Sequence, residues 1–181
     1  LHYPLRRQRQ MCIRDRINSV RLGTLDMVLT GETLQNWAPK AALMAVPYAF
    51  RDLNHMNTVL NGEIGQEIKE NIQTNAGLIP LYYHERAPRN LTTNREIKSV
   101  GDLKGMIIRV PDVPIFVKTW EKLEAKPTPM SLQEVFTSLQ QNTIHAQENP
   151  YDLIYSLGFY EVQKYAYETE HVIQWLSLIH I

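Results

Sequence analysis

One cysteine (Cys12), no long apolar run and no excess of either charge mark this 181-residue sequence. A lone cysteine cannot close a disulfide within the chain or build a Cys-x-x-Cys metal or redox motif. No stretch approaches the ~20 apolar residues of a membrane-spanning helix. The arginine-rich start lacks the apolar segment of a signal peptide. With Lys+Arg and Asp+Glu at 19 each, the basic footprint of a nucleic-acid binder is missing. No internal repeat, low-complexity tract or heptad pattern appears. What is present is a 44% hydrophobic chain, long enough for one domain or two small lobes.

The two ends look foreign to the rest. Met11-Cys12-Ile13-Arg14-Asp15-Arg16 reads back to ATG TGT ATA AGA GAC AG. Leu176-Ser177-Leu178-Ile179-His180-Ile181 reads back to CTG TCT CTT ATA CAC AT, the reverse complement of the same stretch. This is the signature of a translated sequencing adaptor on each side of an insert, and such scars are set aside in fold reasoning. The expectation is an insert over residues 17–175, broken at both ends. Setting residues 1–16 and 176–181 aside takes the 19 basic and 19 acidic residues to 14 and 18, a net charge of −4. Cys12 leaves with the tail, and with it any thiolate chemistry.

Along the insert, strand-like and helical patterns alternate. Residues 25–30 (LDMVLT) read as a strand stopped by Gly31. From 52 to 75, Leu53, Met56, Val59, Leu60, Ile64, Ile68 and Ile72 recur at helical spacing, with Gly62 and Gly65 dividing the run into two helices or kinking it. Residues 77–83 read as a strand, with Pro80 arguing against a central position, and 92–95 as a polar turn. Met106-Ile107-Ile108, bounded by Gly105 and Pro111, fits a strand buried on both faces. Pro114 opens a helix, and Ser131 with Glu134 forms a capping box ahead of another. A long helix is predicted over 150–168. Alternation of this kind predicts an α/β fold with parallel strands.

In an open α/β sheet, ligands bind in the crevice outside the carboxyl ends of the strands. Arg109 stands at such an end, and its planar fork matches a carboxylate with two parallel hydrogen bonds. Pairing with Asp112 or Asp102 is the bland alternative. Arg86, Arg89 and Arg95 flank a second candidate rim. Gln147-Glu148-Asn149-Pro150 reads as a polar turn in which Asn149 either caps the following helix or reaches a ligand.

Together the segments RNLTTNREIKSVGDLKGMIIRVP (89–111), KPTPMSLQEVFTSLQQNTIHAQENP (126–150) and FYEVQKYAYETEH (159–171) resemble the solute-binding proteins of TRAP transporters, the DctP type. GTLDMVL (23–29) and VPYAFRD (46–52) fit upstream in the right order, so the resemblance spans residues 20–175. It implies a two-lobed, type II-like periplasmic-binding-protein fold, here incomplete at both ends. Residues 17–86 would be part of the first lobe and 87–175 most of the second. It implies capture of a small organic acid in the cleft, delivery to TRAP membrane permease subunits, a periplasmic monomer, and no cofactor, metal, nucleic acid or membrane insertion.

Arg109 falls on the family's carboxylate-gripping arginine, Arg89 on a second cleft arginine and Asn149 on a cleft asparagine. Leu132 takes a position where some members carry an aromatic wall, and Glu32 lies by a loop giving polar contacts. The sequence departs from the family in Ile144-His145-Ala146, where a string close to Val-Asp-Gly is usual.

Two other classes compete. A sensor domain of the same fold is one, since fold alone does not fix function. An enzyme is the other: His145 with Glu148, or His84 beside Glu85, suggests acid–base or metal chemistry. No second histidine stands at a metal-ligand spacing, and catalysis is not expected.

Overall fold

The computed structural model describes residues 13–180; the part of the proposed leading tail before Ile13, and Ile181, lie outside the described residues. A six-stranded sheet in the order β1-β6-β2-β5-β3-β4 organises the chain. It is built from β1 (Met27–Thr30), β2 (Ile79–Thr93), β3 (Ile107–Val110), β4 (Lys126–Pro129), β5 (Ala146–Asn149) and β6 (Tyr165–His180). The helices are α1 (Ile13–Arg21), α2 (Leu53–Leu60), α3 (Glu63–Ala76), α4 (Pro114–Lys122), α5 (Val135–Gln140) and α6 (Tyr151–Ser156), with short 3-10 turns between.

Parallel pairing is confined to one half of the sheet, β5/β3 and β3/β4. The pairs β1/β6, β6/β2 and β2/β5 are antiparallel, so the expected parallel strands make up only part of the sheet. The cause is two long strands. β2 and β6, of 15 and 16 residues, pair along most of their length. One cluster of buried side chains (Leu34, Met56, Ile68, Ile72, Leu78, Trp175 among them) packs α1 to α3 on one half of the sheet. A second (Met106, Ile108, Val110, Phe116, Trp120, Val172) packs α4 on the other, beside a third under α5 and α6. β2 and β6 contribute to both of the first two.

Local chemistry explains the boundaries. Asp52 caps α2 by accepting from the His55 amide at 2.7 Å. Gly62 separates α2 from α3 as the spacing predicted, and Gly77, at φ +67°, ends α3 in the left-handed turn that glycine tolerates best. The capping box of Ser131 and Glu134 is formed. Pro80 sits where β2 is locally an edge: β5 pairs only with residues 90–93, and β2 slips register against β6 between Pro80 and Tyr82.

Three expectations fail. The long helix over 150–168 is α6 only; Gly158 at φ +69° stops it, and the stretch from Tyr165, rich in aromatic and β-branched residues, becomes β6. The expected turn at 92–95 begins inside β2, which runs on through Thr93. The polar turn around Gln147–Asn149 is β5, a buried strand whose side chains bond one another, and Asn149 does not cap α6.

Candidate functional site

The carboxyl ends of β1, β3, β4 and β5 open on one cavity of about 660 Å³. Its lining includes all five residues singled out from the sequence, Glu32, Arg89, Arg109, Leu132 and Asn149, together with Arg86. The parallel half of the sheet thus follows the crevice rule for open α/β sheets.

Arg109 is 4% exposed and lies near the end of β3. Its Nε and Nη2 donate to the Met130 carbonyl at 3.1 and 2.8 Å. It has no salt bridge to an acid among the described residues; Asp112, its bland alternative partner, pairs with Arg14 at 2.7 Å, and Asp102 accepts from Lys98 and Ser99. Burial, then repulsion from Arg89, pushes its guanidinium down to about 10, with Glu148 and Glu32 opposing. A cation turned into a cavity with one neutral oxygen as its acceptor has unspent charge.

Arg89 is in a different state. It is 1% exposed. Its Nε donates to Glu148 Oε2, and its Nη2 to Glu148 Oε1 at 2.7 Å, to the Glu148 carbonyl at 2.7 Å and to Asn149 Oδ1 at 3.1 Å. The guanidinium also lies over the Phe116 ring, 5.2 Å from its centroid. Burial alone would raise the Glu148 carboxyl, but the charge of Arg89 and hydrogen bonds from His171 and Arg89 hold it down to about 2. An ionised carboxylate only accepts, so His171 Nε2, 3.1 Å away, carries the proton. Thr169 Oγ1 faces His171 Nδ1 at 2.8 Å. Asn149 Nδ2 donates to Gln147 Oε1, and Gln147 Nε2 donates to Thr92 Oγ1, both at 2.7 Å. This network fixes the floor of the cavity and leaves Nη1 as the Arg89 nitrogen without a hydrogen bond among the described residues.

Glu32 opens the 3-10 turn after β1, and its Oε1 stands 3.8 Å from that Nη1. Leu132 supplies an aliphatic wall, half-buried against the cluster under α5. Arg86 on β2 is half-buried, with no hydrogen bond or ion pair among the described residues. Burial, then Arg89, lowers its pKa. Sequence reasoning took Glu148 only as a partner for His145, not for Arg89 and His171, and weighed Arg86 only as one of several rim arginines. The alternative acid–base pair is not assembled: His145 Nδ1 accepts from the Ile107 amide, while Glu148 is committed to Arg89 and His171. Among the described residues no group of three His, Cys, Asp or Glu side chains is placed to hold a metal, and no helix is long and apolar enough to cross a membrane.

The family model for bacterial extracellular solute-binding protein, family 7 (DctP), matches residues 13–179. A solute-binding protein of Roseobacter denitrificans is 56% identical over 164 residues, covering 91% of this chain and 50% of its own. The 2,3-diketo-L-gulonate-binding periplasmic protein of Escherichia coli is 36% identical over 165 residues, covering 90% and 50%. Among solved structures, a TRAP periplasmic solute binding protein from Roseobacter denitrificans with bound L-galactonate matches at a TM-score of 0.90 and 54% identity, over 93% of this chain and 56% of that one. One from Haemophilus influenzae with bound L-gulonate matches at 0.88 and 34%, over 93% and 55%. The chain spans about half the length of the curated relatives it matches.

Proposed function

Because the chain belongs to the bacterial extracellular solute-binding proteins of family 7, we propose that it is part of a periplasmic protein that captures a small organic acid for a TRAP-type secondary transporter. The observation that carries this reading is Arg109: a buried guanidinium at a strand end, facing a cavity, with no acid paired to it among the described residues. A carboxylate leaving water is costly unless a cation and donors replace its hydration. Arg109 offers that replacement. Asn149 and Nη1 of Arg89 line the same space, Leu132 shapes it, and Glu32 accepts from donors on the ligand. The permease subunits are the protein partner, the complete protein acts as a monomer, and no catalytic step is proposed.

The lobe division at residues 86 and 87, and the foreign origin of residues 1–16 and 176–181, belong to the same proposal. The division is supported along β2, where Tyr83 packs in the first cluster and Leu91 in the second.

Relatives bound to L-galactonate and L-gulonate place hydroxy acids first in a test. A ligand that binds only the folded state raises its melting temperature. Thermal melting of the complete protein with a panel of sugar acids, keto acids and dicarboxylates, followed by calorimetry, is expected to find at least one acid that stabilises and binds. A flat response to the whole panel by both methods would overturn the proposal.

A further inference from the structure

Between the pairs Arg89–Val172 and Leu91–Tyr167 the β2–β6 ladder carries one residue on β2, Asn90, and four on β6, Glu168 to His171. Successive residues of a regular strand point to opposite faces of the sheet. Here two neighbours turn the same way. Val172 packs in the second cluster with Trp120, and the His171 ring meets Trp120 edge-on at 5.5 Å. Both are buried. Extra residues in one strand re-aim a side chain in this manner. The bulge therefore delivers His171 Nε2 to Glu148 Oε2, where an unbroken strand would turn it away.

The bulge is held from two sides. Glu170 sits at φ +42°, a left-handed conformation that a side chain disfavours and that persists only where neighbours enforce it. Within the sheet, buried Asn90 accepts from the Glu170 amide on Oδ1 at 3.0 Å, and its Nδ2 donates to the Pro88 carbonyl at 3.4 Å. Outside, Tyr48 donates its amide to the His171 carbonyl at 2.8 Å and its hydroxyl to the Thr169 carbonyl at 3.2 Å. Among the described residues the outer edge of β6 pairs with β1 alone, at Ser177–His180, so Tyr48 stands where a neighbouring strand would. Tyr48 is itself left-handed, at φ +56°, and 71% exposed, so burial is not what keeps it there. Thr169 in turn faces His171 Nδ1 through its hydroxyl.

We infer that Asn90 and Tyr48 are positioning residues for the acid site: they hold the β6 bulge in the shape that sets His171 on Glu148. His171 then keeps the carboxylate from rotating. Both carboxylate oxygens stay on Arg89, and its Nη1 is left for the cavity. The inference rests on the proposed function.

The test is made on the complete protein with isotopically labelled histidine, by NMR and calorimetry. A proton on His171 Nε2, shielded from water and bonded to a carboxylate, gives a downfield imidazole resonance that reports the contact. The probe acid is L-galactonate or, where that does not bind, the tightest acid of the melting panel. Asn90→Leu, close in size but without an acceptor, should shift or abolish the resonance and weaken the acid about tenfold. Adding Glu170→Gly, which adopts a left-handed φ without steric penalty, should recover part of both. Tyr48→Phe, which removes only the hydroxyl, should shift the resonance and weaken the acid about threefold. A packing role alone would lower the melting temperature of Asn90→Leu and leave resonance and affinity unchanged; that result overturns the inference. A moved resonance with unchanged affinity overturns it too. Should Asn90→Leu not fold, Tyr48→Phe decides: an unmoved resonance or an unchanged affinity is the negative result. All these leave the acid-binding proposal standing, whereas failure of every acid to bind the unmodified protein overturns both.

Discussion

Arg109 and Arg89 line one cavity but spend their charge differently. Arg89 is held by both carboxylate oxygens of Glu148, by a backbone carbonyl and by Asn149, whereas among the described residues Arg109 has only the Met130 carbonyl. Substituting each therefore reports a different quantity. Arg109→Lys keeps the charge and loses the fork. It should abolish most acid binding, by about 2–5 kcal/mol in calorimetry, with little change in melting temperature without ligand; retained affinity would remove Arg109 from its assigned role. Glu148→Gln instead strands a buried guanidinium. It should cost about 3–5 kcal/mol of folding stability in denaturant titration, with or without ligand. Arg109 was legible because an apolar run followed by arginine and proline places it at a strand end. Glu148 was not, because its value comes from Arg89 and His171, 59 and 23 residues away in sequence.

At the scale of elements, short apolar runs and glycine punctuation read well, and long-range pairing did not. The α2–α3 division at Gly62, the strand at Ile107–Val110 and the capping box at Ser131 follow from local spacing. β4 and β5 escaped notice because neither is apolar: KPTP is a strand because β3 lies beside it, and AQEN because β2 and β3 flank it. The segment 165–180 looked helical at its start because Val162 and Tyr165 continue the three-residue spacing of α6 past the glycine that ends it. Gly65 offers an element-level test. A Cβ there would lie 1.8 Å from the Leu60 carbonyl oxygen, so the α2–α3 corner must open. Gly65→Ala should destabilise the fold by about 1–3 kcal/mol, the range for overpacking, despite the better helix propensity of alanine. Equal or greater stability in thermal melts would show that the corner yields freely.

For the molecule as a whole, the buried ion pair sets a pH limit. Glu148 has a folded-state pKa of about 2 against an ordinary 4.5. The unfolded chain therefore binds the extra proton between these values, and stability rises with pH across that window. The contribution is complete above about pH 4.5 and is lost as pH falls towards 2. Melting temperature measured from pH 6 to pH 2.5 should fall more steeply in the parent chain than in Glu148→Gln; parallel curves would show that other carboxylates govern acid unfolding.

The paired strands β2 and β6 thread two separate clusters of buried side chains, and twice between Arg86 and Leu91 they fall out of step. A ladder with missing rungs bends where the rungs are missing. A rotation of one half against the other would bend the sheet in residues 86–91, the same short span that carries Arg86 and Arg89. Whatever occupies the cavity consequently splints the joint, and deuterium uptake at the Ala87, Arg89 and Asn90 amides should slow on binding while uptake in α3 stays the same.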